Sequence, residues 1–353
     1  MNAYLSRKLK VISFILIVMV VFLHAHNISM RGDELNYYVQ NLISNGFTKI
    51  SVALFFVISG YLFFFNLVDP KSKDFRRKIQ SRVRSILVPY LLWSIWGMIF
   101  FAILQNIPFS KGFFSLGLLQ NKSSADLLHI LFIKPLPYQL WFLRHLFVFV
   151  LLSPLIYFTT KVLKGSITLA IIAVLLLKIL EIPENDFVHN RSLAYFCLGA
   201  YLGIHQQSFV LKRLPSWGIA ATVTWIALVV WRIVGDSQAF INDKLWRNFI
   251  QHTEYLIGIF ALWSLYDLLS KADTANAKAL PKFLAFAFFL YAAHEPVLTI
   301  IKKISLRLLG SNDSTQLLVY FAAPLLTILF CVTVGMILKS LIPKVYAALS
   351  GGR

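Results

Sequence analysis

The stretch VMVVFLHAHNIS, residues 18–29, carries His24 and His26 at the far end of an otherwise apolar run. An imidazole at membrane depth needs a hydrogen-bond partner or a water-filled cavity, so such a residue marks a functional site by default. A neutral imidazole there can accept a proton from a weak nucleophile or carry a group covalently. Helical phase separates the two histidines. Residues 11 apart return to nearly the same face, so Ser13 lies beneath His24, Asn27 shares its side, and His26 points away. Spacing alone leaves a second reading open, in which both rings sit at the interface and bond to headgroups or loops.

Further polar groups interrupt other apolar runs. YQLWFLRHLFVFVLLSPL (138–155) places Trp141, Arg144 and His145 together, and an arginine at that depth snorkels or pairs with something negative. FAFFLYAAHEPVLTI (286–300) sets His294 beside Glu295 and a helix-kinking Pro296, and His252 and Glu254 open another run. SVALFFVISGYLFFF (51–65) contains Ser59, Gly60 and Tyr61, a small-residue notch of the kind that lets membrane helices approach closely. Residues 71–84 hold seven cations, among them Arg77, Arg82 and Arg84. Such a cluster anchors a loop to anionic lipid, or offers planar guanidinium forks to phosphate oxygens.

The elements that must position these groups are membrane helices. The chain has 353 residues, 58% hydrophobic and 14% charged, with a formal net charge of +19. The basic residues fall between apolar runs of about 20 residues, a pattern that excludes a nucleic-acid binder despite the charge. Such windows predict an all-α bundle of about ten spans, near 11–28, 47–68, 86–106, 139–160, 166–182, 192–206, 216–235, 248–269, 282–301 and 316–340. The start, MNAYLSRKLK, leads into an apolar run without a small-residue cleavage pattern and reads as an uncleaved first span. The dense cluster at 71–84 predicts both termini in the cytoplasm. Cys197 and Cys331 lie in apolar runs and imply no disulfide framework. The expected organisation is one domain over 1–345 and a short tail over 346–353, with no appended soluble domain.

In order and approximate spacing, VVFLHAHN, FFVISGYLFF, RVRSILVPYLLW, LWFLRHLFVFVLLSPLIY, YFCLGAYLG and FFLYAAHEPVL resemble the acyltransferase-3 family of bacterial membrane O-acyltransferases. The resemblance spans residues 5–340. It implies a multi-pass bundle in the bacterial cytoplasmic membrane that moves an acyl group, most often acetyl, from cytoplasmic acyl-CoA to a hydroxyl of an extracytoplasmic polysaccharide or lipid-linked glycan. It also implies that His24 matches the family's essential histidine, and that Arg82 and Arg84 are the nearest matches to arginines associated with acyl-CoA. Two departures stand out: Ser13 occupies a position where the family often has arginine, with Lys10 the nearest cation, and the two arginines are closer together than is usual.

The expected function is therefore O-acylation, with His24 as catalytic base or acyl carrier and Arg144 stabilising an oxyanion or holding the acceptor. Arg82, Arg84, Arg77 and Lys10 are assigned to acyl-CoA, and Asn27, Ser59, Tyr61, Trp141, His294 and Glu295 to supporting positions. The expected partners are acyl-CoA, a surface glycan and membrane lipid, with no metal and no nucleic acid. A transporter or flippase using His24, Arg144, His294 and Glu295 as a proton or substrate path is the rival reading.

Overall fold

A computed structural model describes residues 2–28, 34–107, 119–162, 165–179, 184–234, 244–270 and 279–352. Every regular element among them is helical. In chain order these include α1 (Ala3–Ala25), α2 (Glu34–Gln40), α3 (Ile50–Phe64), α4 (Ser72–Arg82), α5 (Val88–Asn106), α6 (Ser124–Phe132), α7 (Trp141–Leu151) and α8 (Ser153–Val162). They continue with α9 (Gly165–Leu177), α10 (Asn190–His205), α11 (Gln207–Leu211), α12 (Gly218–Val234), α13 (Lys244–Leu269), α14 (Ala287–Leu309), α15 (Asp313–Leu341) and α16 (Pro343–Ser350).

Six helical stretches among the described residues are long and apolar enough to cross a membrane, and the pair Tyr138–Leu151 and Ser153–Val162, bent by 60°, makes a seventh if it is one span. This falls short of the expected ten for identifiable reasons. The run expected over 166–182 contracts to the 13 residues of α9, and α10 has only 16. The 26-residue α13 carries Lys244, Arg247, Glu254 and Asp267. Two of the expected loops are also helical. The cationic segment forms α4 and runs through a π-helical turn, Val83–Leu87, directly into α5. Residues 34–46, expected before the second span, form α2 and a π-helical turn, and a further tight turn over Phe47–Lys49 leads into α3.

Close packing follows the small residues, as it must where apolar surface is no more favoured against protein than against lipid. A Cβ at Gly60 would lie 2.2 Å from the Phe196 carbonyl oxygen, and one at Gly199 would lie 2.1 Å from that of Val57. The backbones of α3 and α10 therefore touch, and the matched steps from Val57 to Tyr61 and from Gly199 to Gly203 show that they run in the same direction. Gly60 thus packs the bundle, which leaves Ser59 free to face elsewhere.

At the start of α1, Lys8 is 1% exposed and its Nζ donates to Asp267 Oδ1 of α13 at 2.8 Å, with the Trp263 ring 3.9 Å away. Tyr4 Oη donates to the same oxygen at 2.6 Å, and Leu214 N donates to Oδ2 at 3.0 Å. The carboxylate thus accepts from three donors, two on one oxygen and one on the other, the kind of compensation a buried charge requires. At the same end α16 closes over the turn between α4 and α5: Trp93 Nε1 donates to the Leu349 carbonyl at 3.0 Å and Tyr346 is buried against Phe289. Residues 346–350, expected as tail, are therefore part of the packed bundle.

Candidate active site

The opposite end of α1 carries His24. Its ring stacks on that of His294 with centroids 5.6 Å apart and planes within 19°, and the Tyr138 ring meets it edge-on at 4.9 Å. Lys302 Nζ, one helical stretch beyond His294, donates to the backbone carbonyls of His24 at 2.9 Å and His26 at 2.8 Å, fixing the frayed end of α1.

His294 owes its position to a break in α14. Glu295 has φ −109° and ψ 133°, outside the helical region, and Pro296 follows it inside the helix. Pro296 has no amide hydrogen, so the carbonyl four residues before it, that of Ala292, loses its helical donor. Gln139 Nε2 replaces it, donating to Ala292 O at 3.0 Å and to Glu295 O at 3.1 Å. Tyr291 Oη returns a bond to the Gln139 carbonyl at 2.7 Å. The Glu295 carboxylate accepts from Tyr138 Oη at 3.0 Å and from Thr299 N at 3.3 Å. Its role is thus to hold the tyrosine that flanks His24.

The histidine's own bonds select its tautomer. His294 Nδ1 lies 2.7 Å from the Tyr291 carbonyl, and because a carbonyl only accepts, Nδ1 carries the proton. Nε2 is then a lone-pair acceptor, buried and without a partner among the described residues. A buried acceptor left open inside a bundle is one that a substrate hydroxyl or a water can use.

Toward the Lys8 end of α1, a cavity of about 120 Å³ is lined by Ser13, Ser59, Leu143 and Tyr291, among others. Ser13 lies 11 residues before His24, about 16 Å along the helix. Tyr291 joins the two, since it lines the cavity and its carbonyl orients His294. The position that holds arginine in many members of the resembled family here opens into space flanked by two serine hydroxyls.

The other expected site residues are distributed more widely. Asn27 forms no hydrogen bond to the His24 ring among the described residues: its amide bonds Gln40 at 2.8 Å and the Gln316 carbonyl at 2.9 Å, tying α1 to α2 and α15. Arg144 faces Phe187, with its guanidinium carbon 5.8 Å from that ring, and no contact among the described residues links it to His24. Trp141 packs against His145 and His189, whose rings are 4.3 Å apart, so this side of α7 forms a separate aromatic cluster. Tyr61 borders a second, apolar cavity with Leu9 and Trp263. Arg82 is half-buried at the end of α4, while Arg84, Arg77 and Lys10 are exposed; Arg77 pairs with Asp74 at 3.6 Å. Of the lysines near the start of α1, Lys8 is the one drawn inside. Tyr138, Gln139, Tyr291 and Lys302 complete the site and were not singled out from sequence; only Lys302, a cation eight residues after His294 in an apolar helix, carried a local signal.

No group of three or more His, Cys, Asp or Glu side chains among the described residues is arranged to hold a metal ion. Fold and site define a helical, membrane-type protein with its polar chemistry gathered inside the bundle around a stacked histidine pair. The family described as an acyltransferase domain, acyltransferase-3, matches residues 8–336, and the chain belongs to it. It is accordingly an O-acyltransferase. The succinoglycan biosynthesis protein ExoH of Rhizobium meliloti (strain 1021) is 26% identical over 362 aligned residues, which cover 100% of this chain and 94% of the relative. No solved structure matches significantly.

Proposed function

We propose that this chain is a bacterial cytoplasmic-membrane O-acyltransferase that moves an acyl group, in the simplest case acetyl, from cytoplasmic acyl-CoA to a hydroxyl of an extracytoplasmic polysaccharide or lipid-linked glycan. In this reading α1 enters from the cytoplasm, the Lys8 end of the bundle is cytoplasmic, and about ten passes bring both termini to that side. The observation that carries it is the stacked pair of His24 and His294 standing beyond an internal cavity that Ser13 and Ser59 line. The name of the relative, a succinoglycan biosynthesis protein, supports a polysaccharide acceptor.

A sugar hydroxyl is a poor nucleophile at neutral pH. His24 accepts its proton as the oxygen attacks the thioester carbonyl, which contributes about 10²–10⁴-fold. The C–O bond forms, the C–S bond breaks, and the proton passes to the departing thiolate. Tyr138 and His294 clamp the His24 ring so that its approach is preset. Arg82 and Arg84 sit at the cytoplasmic mouth, where guanidinium groups match the phosphates of CoA, and the cavity beneath His24 receives the acyl-bearing arm.

The test uses isolated membranes given acyl-CoA and cell-surface glycan. The proposal expects release of free CoA thiol with a glycan mass increase of one acyl group, both dependent on this protein. A glycan that changes sides of the membrane with neither effect contradicts it and restores the transporter reading.

A further inference from the structure

A separate cavity of about 610 Å³ lies at the His24 end of the bundle, within the roughly 300–1,000 Å³ of ordinary ligand sites. Its walls carry six cations: Lys49, Lys178, Arg191, Arg232, Lys244 and Arg247. They come from the start of α3, the end of α9, the start of α10, the end of α12 and the start of α13, so the convergence is three-dimensional rather than a basic run. Two of them have carboxylate partners, Lys178 with Glu184 at 3.4 Å and Arg232 with the buried Glu254. Among the described residues, Lys49, Arg191 and Arg247 have no carboxylate partner. Among the described residues, Arg191 donates only to neutral amides, Asn248 Oδ1 at 3.1 Å and Gln251 Oε1 at 3.4 Å, and its buried Nε has no partner. Lys49 and Arg247 form no salt bridge among the described residues.

The cavity adjoins the site already described. Arg232 donates to the Asn45 carbonyl at 2.8 Å, and Asn45 itself lines the cavity. Its neighbour Ser44 donates to the Phe22 carbonyl at 2.7 Å, two residues before His24. Like charges gathered within one recess repel each other and are stable together when an anion shares the space, and guanidinium forks suit oxyanions in particular.

We infer that this cavity is the anionic subsite for the acceptor: it seats an oxyanion carried by the glycan, a phosphoryl group or a uronate carboxylate, and so brings a nearby hydroxyl to His24. The inference rests on the proposed acyl transfer for the identity of the ligand as acceptor. Neutral glycan alone offers no anion to Lys49, Arg191 and Arg247, so charge on the acceptor becomes a requirement for tight binding.

The test is isothermal titration of the purified full chain in zwitterionic nanodiscs with three probes: inorganic pyrophosphate, tetragalacturonate and neutral maltotetraose. Saturable binding of pyrophosphate, tetragalacturonate or both, at least about tenfold tighter than maltotetraose and weakened at least about tenfold in R191Q/R247Q, is expected from the loss of two charge-assisted contacts. The anion that binds more tightly identifies phosphoryl or carboxylate as the source. R247Q alone, at an exposed position, is expected to weaken the same anion in a folded protein. H24A is expected to bind it as the wild type does, whether or not that variant transfers acyl groups, which separates this subsite from the catalytic assignment. Anion binding no tighter than maltotetraose, or unchanged in both arginine variants, overturns the inference.

Discussion

The imidazoles of His24 and His294 stack with centroids 5.6 Å apart, one supplied by the end of α1 and the other by the broken turn of α14. The two helices are far apart in sequence, and it is the break at Glu295 and Pro296 that presents the second ring. Gln139 takes up the carbonyl that Pro296 leaves without a donor, so the same proline that disrupts the helix recruits the segment bearing Tyr138.

Tyr138 acts on His24 through its ring and on Glu295 through its hydroxyl. Y138F keeps the edge contact and is expected to retain most acyl transfer. Y138A frees the His24 ring and is expected to lower kcat about 10²-fold, the cost of a misplaced reacting group. Equal rates for the two variants in a membrane transfer assay contradict the positioning role.

Charge at the α4–α5 junction makes a prediction about the donor alone. R82Q/R84Q is expected to raise KM for acyl-CoA roughly 10–100-fold, since hydrogen bonds to charged groups are worth about 1.5–3 kcal/mol. KM for the glycan stays as it was. A change confined to the glycan, measured by initial rates with each substrate varied, contradicts the assignment.

Asp267 answers to Lys8, Tyr4 and the Leu214 amide within the protein interior. D267A leaves Lys8 buried and uncompensated, at a cost of about 3–5 kcal/mol. A clearly lower Tm in detergent is expected for D267A, with partial recovery in K8M/D267L, where neither charge remains. Unaltered melting of D267A contradicts a stabilising role for the pair.

What could be read from the sequence was mostly local. Helical phase set Ser13 beneath His24, and the structure puts Ser13 on a cavity wall about three helical turns below that ring. His294, Glu295 and Pro296 stood out because polar groups and proline disturb an apolar run. The motif order gave the family, which the match over residues 8–336 bears out. Local reasoning could not choose Lys8 over Lys10, because the choice depends on Asp267, which lies 259 residues away. The same holds for the cationic cavity, whose residues come from five separated segments and belong to no single motif. Span counting suffered for a related reason. Charges that pair inside the bundle, as Glu254 of α13 does with Arg232 and Asp267 with Lys8, lower the apolar character of a helix, so length and composition alone do not register α13 as a span.

The central claim is that His24 performs the transfer, and its most direct test is acyl transfer by H24A in isolated membranes, with radiolabelled acetyl-CoA as donor and protein levels matched by immunoblot. The account predicts that incorporation into glycan falls about 10²–10⁴-fold at unchanged abundance. Incorporation at the wild-type rate would contradict it.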